Sequence, residues 1–317
     1  MFNIGQLTSY VNENIGSIAY PDTPDSLFEP VRYMLQGGGK RIRPVLTLAS
    51  CAALGGAYSD AINQALGIEM FHNFTLLHDD VMDNSDTRHG RPTVHRRWDE
   101  STAILSGDAM LTMASQLIMR CAGGHTEEAL GIFNSVAMDV YRGQQYDMDF
   151  EARTNVSIGE YLEMIRLKTG VLIGGACRIG ALMADADKEA CDAMYAYGEA
   201  LGLAFQLQDD YLDTYGNPEV FGKPIGGDII NGKKTWLLLS AMEGDPDAVS
   251  QAMSYGGQQR IEAVKEVYSR LSLPQRCREL IDGYTTRAIG AVMGVAMDSS
   301  SRAVFIDLAH KAAVRDK

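Results

Sequence analysis

The feature that most restricts this chain's fold is its periodicity. Long apolar runs with helical spacing lie between glycines and prolines, and no run alternates as a half-buried strand does. Over Asp60–Met82 the apolar residues Ala65, Ile68, Phe71, Phe74, Leu76, Leu77 and Val81 fall mostly three and four apart. The same pattern predicts helices over Thr102–Arg120, Glu127–Phe150, Ile158–Ala184 and Lys188–Tyr215. Several of these are apolar round most of their circumference, as helices inside a bundle are. Internal glycines at Gly170, Gly174, Gly175, Gly180 and Gly202 weaken a helix, so a return is expected in close helix packing or in room for a ligand. No repeat, low-complexity tract or linker breaks the pattern, and one all-α domain over residues 1–317 is expected.

The net charge of −13 argues against general nucleic-acid binding and against adhesion to an anionic membrane. Cys51, Cys121, Cys177, Cys191 and Cys277 are scattered, without a CxxC pair. That fits free thiols in a reducing compartment and argues against thiolate metal ligation. The N-terminal run lacks the basic-then-apolar pattern of a signal peptide, and no stretch approaches about 20 uninterrupted apolar residues. A cytoplasmic protein without stable membrane insertion is expected.

The strongest local signal is Asp79-Asp80-Val81-Met82-Asp83, at the end of an apolar helix. Asp79 and Asp83 lie one helical turn apart on one face, where like charges repel. The C-terminal end of the helix dipole disfavours them as well. Asp209-Asp210-Tyr211-Leu212-Asp213 repeats the arrangement at the end of a second apolar helix. One such cluster is commonly a solvated helix end; two in matched settings point to a cation. Oxygen ligands without a His or Cys set select a hard ion such as Mg²⁺, which takes one or two carboxylates and completes its shell with water and phosphate. The implied ligand is a diphosphate.

Basic groups supply the complement. Gly37-Gly38-Gly39-Lys40-Arg41-Ile42-Arg43-Pro44 is a glycine turn entering a helix, without the spacing of a Walker loop. Arg88 follows the first cluster, with Arg91, Arg96 and Arg97 nearby. Lys168-Thr169 lies in an apolar helix, and Lys223 and Lys233 flank the stretch that follows the second cluster.

At GGGKRIRP, FHNFTLLHDDVMDNSDTRHGRPTVH, RLKTG, FQLQDDYLD and FGKPIGGDIINGKKTW, the sequence resembles the trans-isoprenyl diphosphate synthases, or polyprenyl synthetases, of short-chain farnesyl and geranylgeranyl type. The resemblance runs from about Asp25 to the last helices. It implies the isoprenoid synthase fold, a single-domain bundle of long helices around a central active-site cavity. It implies Mg²⁺-dependent 1'-4 condensation of isopentenyl diphosphate with an allylic diphosphate, giving C15 to C20 products. Three Mg²⁺ ions are expected with diphosphate bound: Asp79 and Asp83 hold two with Asp80 in support, and Asp209 holds the third with Asp210 and Asp213 near its water shell. By the same resemblance Arg88, Lys168 and Lys223 contact the allylic diphosphate, with Lys233 close by. Lys40, Arg43 and His72 hold isopentenyl diphosphate, and Thr169 and Gln206 stabilise positive charge at the reacting carbons. A homodimer is also implied.

One departure stands out. The family usually has two arginines after the first cluster, and this chain has Arg88-His89. A histidine is largely neutral near pH 7, so weaker, pH-dependent binding of isopentenyl diphosphate is expected. Product length is expected to depend on Phe74 and Thr75, five and four residues before Asp79. Five residues span about 7.5 Å of helix. A bulky residue there forms a floor in the resembling family, although Phe74 also suits an ordinary core. Two alternatives share the aspartate signal: a class I terpene cyclase, and a non-catalytic subunit of a heteromeric prenyl synthase.

Overall fold

The computed structural model describes residues 2–121, 123–217 and 225–314. Its elements are α1 (Ile4–Gly16), α2 (Asp25–Leu35), α3 (Ile42–Ala53), a 3-10 turn at Tyr58–Ala61, and α4 (Ile62–Met82). Strands β1 (Thr87–Arg88) and β2 (Arg91–Pro92) form a minimal hairpin, followed by α5 (Val94–Arg97), α6 (Glu100–Ile118) and α7 (Thr126–Ala152). Then come α8 (Ile158–Ile165), a π-helical turn at Arg166–Gly170, α9 (Val171–Leu182) and α10 (Lys188–Tyr215). The last six are α11 (Gly227–Asn231), α12 (Trp236–Gly244), α13 (Pro246–Met253), α14 (Gly257–Arg270), α15 (Leu273–Met293) and α16 (Ser299–Ala313). Among the described residues, no helix is long and apolar enough to cross a membrane.

The chain divides into two compact units. The first holds Met1–Ser135, Gly175–Met194 and Ala296–Ser301; the second holds Val136–Gly174, Tyr195–Val295 and Arg302–Lys317. Helices α7, α9, α10 and α16 contribute residues to both.

In the first unit α4 is buried on nearly every side, through residues such as Ala65, Ile68, Met70, Phe71, Phe74 and Leu77. Its neighbour α6 approaches closely at two glycines. A Cβ on Gly67 would sit 3.0 Å from the Ala114 carbonyl, and one on Gly107 would strike the His78 ring. The second unit centres on Tyr161, Leu207, Trp236, Leu237, Tyr268 and Leu273. There α10 lies against the π turn and the start of α9 at glycines. A Cβ on Gly198 would be 2.5 Å from the Ile173 carbonyl, and one on Gly202 would be 2.6 Å from the Gly170 Cα. These internal glycines therefore serve close backbone packing.

Two features depart from the periodicity. The run Ile158–Ala184 is helical without a gap to Leu182, but a π turn is inserted between its α8 and α9 segments. The turn is pressed on Gly143 of α7, where a Cβ would sit 2.3 Å from the Lys168 amide nitrogen. A packing contact from elsewhere in the chain leaves no mark in the local apolar pattern. The β1–β2 hairpin has two-residue strands, too short to alternate visibly. Its turn residues His89 and Gly90 both have positive φ, 50° and 74°, as a type I′ hairpin turn requires.

Candidate active site

At the end of α4 the three aspartates differ. Asp83 caps the helix, its N–H donating to the Asp79 carbonyl at 2.8 Å. The Asp79 and Asp80 side chains are 18% and 2% exposed respectively. Asp80 is gripped by Arg88, whose Nε donates to Oδ1 at 2.8 Å and Oδ2 at 2.9 Å, with Nη2 also 2.8 Å from Oδ1. Burial pushes the Asp80 carboxyl above the usual carboxylate range, and Arg88 opposes that shift. Asp80 thus anchors Arg88, whose Nη2 lies 3.9 Å from Asp79 Oδ2. The other basic residues of this stretch are engaged differently. Arg91 and Arg97 stack on the Tyr33 ring at 3.8 and 4.5 Å, and Arg96 pairs with Asp86 at 2.8 Å.

In the same unit the glycine turn brings Arg43 to His72 of α4. Arg43 Nη1 lies 3.1 Å from His72 Nε2. Arginine only donates, so Nε2 accepts and the proton of the neutral ring sits on Nδ1. Burial lowers the His72 pKa well below normal, and Arg43, Arg88, Arg41 and His89 lower it further. Arg43 is also pushed down, to about 10, by burial, with Glu69 acting against the shift. Its Nε is buried and has no hydrogen-bond partner among the described residues. An unmatched buried guanidinium donor suits an anion. Lys40 lies exposed at its edge of the turn.

In the second unit α10 ends on Asp209, Asp210 and Asp213. Here too the middle carboxylate is the buried one. Asp210 is 4% exposed; it accepts a short hydrogen bond from the Tyr161 hydroxyl and one of 3.1 Å from Gln206 Nε2. Burial raises its pKa, against Lys233, Tyr161 and Gln206. The Gln206 amide is thereby oriented, with Oε1 accepting from the Thr169 hydroxyl at 3.3 Å. With its proton committed to Gln206, the Thr169 oxygen keeps lone pairs for positive charge. Asp213 Oδ2 accepts the Asp228 amide N–H at 2.9 Å and tethers α11.

Lys168, lifted out of helical register by the π turn, reaches Asp147 on α7 at 2.6 Å. Lys233 Nζ lies 3.8 Å from Asp210 Oδ1 and 3.7 Å from Asp228 Oδ1. Burial works against its charge, but Asp210, Asp228, Asp147 and Asp209 outweigh that and raise its pKa. Burial pushes Asp228 up to about 7, with Lys233 opposing. Lys223 lies outside the described residues.

Phe74 is 6% exposed, in an aromatic row with Phe71 at 5.5 Å and His78 at 4.8 Å. The Thr75 hydroxyl donates to the His72 carbonyl at 2.8 Å. Three site groups escaped the sequence reading: Asp147, Tyr161 and Asp228. Asp228 stood inside a recognised marker. Asp147, one turn after Gly143 on a helix that also carries Asp139, Asp149 and Glu151, carried no distinguishing signal. Tyr161 carried none.

The sequence profile of the polyprenyl synthetase family matches residues 24–271. The chain is 37% identical over 265 residues to a short chain isoprenyl diphosphate synthase of Methanothermobacter thermautotrophicus, covering 82% of this chain and 80% of that one. It is 42% identical over 228 residues to a geranylfarnesyl diphosphate synthase of Aeropyrum pernix, covering 70% and 72%. A crystal structure of a geranylgeranyl pyrophosphate synthase superposes over 100% of both chains, with TM-score 0.93 and 39% identity.

Proposed function

Because the chain belongs to the polyprenyl synthetase family and has its all-α isoprenoid synthase fold, we propose that it joins isopentenyl diphosphate to an allylic diphosphate with Mg²⁺, releasing diphosphate. It is a prenyltransferase that elongates prenyl chains to short-chain products. The two units act as one isoprenoid-synthase domain, and both aspartate clusters serve a single allylic diphosphate.

The observation that carries this reading is the matched construction of the clusters. In each, the middle aspartate is buried and locked, Asp80 by Arg88 and Asp210 by Tyr161 and Gln206. Asp79, Asp83 and Asp209 are the metal ligands, with Asp213, whose Oδ2 accepts from the Asp228 amide, beside them. The donor set is oxygen-only, which fits Mg²⁺, whose shell is completed by water and diphosphate. The bound ions, three with diphosphate present, supply Lewis acidity where the leaving group gathers charge.

The chain's own residues do the rest. Arg88, Lys168, Lys223 and Lys233 hold the allylic diphosphate as its C–O bond ionises, and their fixed charges favour the departing anion. Lys168 exchanges Asp147 for the substrate. The Thr169 and Gln206 oxygens face the delocalised carbocation, and apolar helix faces keep water from it. Lys40, Arg43 and His72 hold isopentenyl diphosphate so that its double bond attacks the cation, and the released diphosphate takes the proton then lost.

Relatives at similar identity bear names for different product lengths, so length turns on the pocket floor. Phe74 sets it, and C15 to C20 products follow. Phe74→Ala is expected to lengthen the main product by one or two isoprene units on chromatography; an unchanged product would remove Phe74 from this role. For His89, wild-type affinity for isopentenyl diphosphate is expected to be a few-fold higher at pH 6 than at pH 8, since a protonated imidazole attracts the diphosphate. His89→Arg is expected to bind equally well across that range, and identical profiles would refute the idea.

The chain acts as a homodimer. What supports this is α6 with its C-cap Met119, where Ile104, Leu105 and Met119 are 42, 59 and 47% exposed. The deciding experiment offers the purified chain isopentenyl diphosphate with C5, C10 and C15 allylic starters and analyses the products. Turnover of an allylic diphosphate without isopentenyl diphosphate would indicate a cyclase instead.

A further inference from the structure

Between Lys40 and Arg43, the residue Arg41 turns inward and is 6% exposed. Every nitrogen of its guanidinium is engaged. Nη1 donates to Glu69 Oε1 at 2.5 Å, Nε to Asn12 Oδ1 at 3.2 Å, and Nη2 to the Leu35 carbonyl in a short bond. Glu69 is equally buried, and the Asn73 amide donates to its Oε1 at 3.1 Å and to its carbonyl at 2.8 Å. Four side chains from α1, the glycine turn and α4 are thus closed into one network.

The backbone here is unusual. Gly38 and Gly39 have φ of 83° and 119°, and Arg41 itself sits at 50°, in the left-handed region that side chains rarely adopt. Arg41 is also the N-cap of α3, its carbonyl accepting from the Val45 amide at 3.1 Å. Something must hold a non-glycine residue in that conformation. Glu69 is placed to do so. It lies three residues before His72 on α4, so the turn of helix that grips Arg41 also presents the imidazole facing Arg43.

We propose that the buried Arg41–Glu69 pair, tied by Asn12 and Asn73, is a positioning device for the homoallylic diphosphate. It fixes the left-handed turn so that Lys40 and Arg43 flank His72. The inference rests on the assignment of those three residues to isopentenyl diphosphate. A buried ion pair is a poor source of net stability, because desolvating both charges offsets their attraction. Its effect is geometric: it sets where the two neighbouring cations sit.

The test is steady-state kinetics, each substrate varied at saturation of the other, on Glu69→Gln and on the apolar double variant Arg41→Met/Glu69→Met. Both are expected to raise KM for isopentenyl diphosphate about tenfold or more, with KM for the allylic substrate and kcat within about twofold. The double variant is expected to melt within a few degrees of wild type. A folded double variant with an unchanged KM for isopentenyl diphosphate would overturn the proposal. So would a joint shift of both KM values and kcat, the mark of general damage. If the core variants do not fold, Asn12→Ala at its exposed position decides: KM for isopentenyl diphosphate rises about threefold, or the proposal fails. Lys40→Ala and Arg43→Ala serve as the control. If they leave that KM unchanged, the subsite assignment is wrong; if wild type consumes no isopentenyl diphosphate, the proposed function is.

Discussion

Replacing Asp79 by asparagine is expected to lower kcat about 10³-fold while leaving the fold intact. The side chain keeps its shape and loses the charge that binds a divalent ion. Stability moves little because two small effects oppose each other. Asp79 is repelled by Asp83 one turn on and by the helix C-terminus, together worth some tenths of a kcal/mol. It is attracted by Arg88 Nη2 at 3.9 Å, a comparable gain. Its melting temperature is therefore expected within about 2 °C of wild type. Asp80→Asn contrasts with it. That carboxylate is 2% exposed and holds the Arg88 fork, so its loss leaves a half-buried guanidinium short of its partner, at a cost of about 2 kcal/mol. Shared duty with the second cluster has its own signature. If Asp79 and Asp209 act on one diphosphate, the Asp79→Asn/Asp209→Asn double variant loses far less than the product of the single losses. Independent, multiplying losses in kcat would mean the two clusters do not share a substrate.

The second large effect is on packing. Gly202→Ala adds a Cβ 2.6 Å from the Gly170 Cα and 3.2 Å from the Gly170 nitrogen. These are backbone atoms, so no rotamer change relieves the overlap, and α10 must move off the π turn. Overpacking of this kind costs about 3 kcal/mol. For a chain of this size that lowers the melting temperature by roughly 6 °C. The same displacement separates Gln206 from Thr169, now 3.3 Å apart, four residues further along α10 and one residue before Gly170. Turnover is expected to fall about tenfold even where the protein remains folded. Thermal melting and kcat measured together check this; a variant matching wild type in both would show that α10 and the π turn tolerate wider spacing.

Much of the site was legible because it is local. Asp79 and Asp83 share a helix face by spacing alone, and so do Asp209 and Asp213. Lys40 and Arg43 were visible as cations on a glycine turn in an acidic chain. The basic stretch after the first cluster was read less well. Arg91, Arg96 and Arg97 count equally with Arg88 in a tally of charge, yet they are held by Tyr33 and Asp86. Nothing near them in sequence announces Tyr33. The helix expected over Ile158–Ala184 runs unbroken to Leu182 but winds as a π turn at Arg166–Gly170, where the backbone of Lys168 lies close to Gly143 of another helix.

What the amino-acid order determined by itself is whatever one or two helical turns can carry: the all-α class, the extents of α4, α7 and α10, and the placing of carboxylates in pairs. Apolar spacing and like-charge spacing are properties of a single helix, so they survive without its neighbours. The tertiary structure decided which aspartate of each triplet is buried and locked, which arginine pairs with the first triplet, and where Lys168 and Arg41 point. Those outcomes depend on desolvation and on partners far away in sequence, Arg88 for Asp80, Tyr161 for Asp210 and Glu69 for Arg41. Only packing brings such partners within hydrogen-bonding distance.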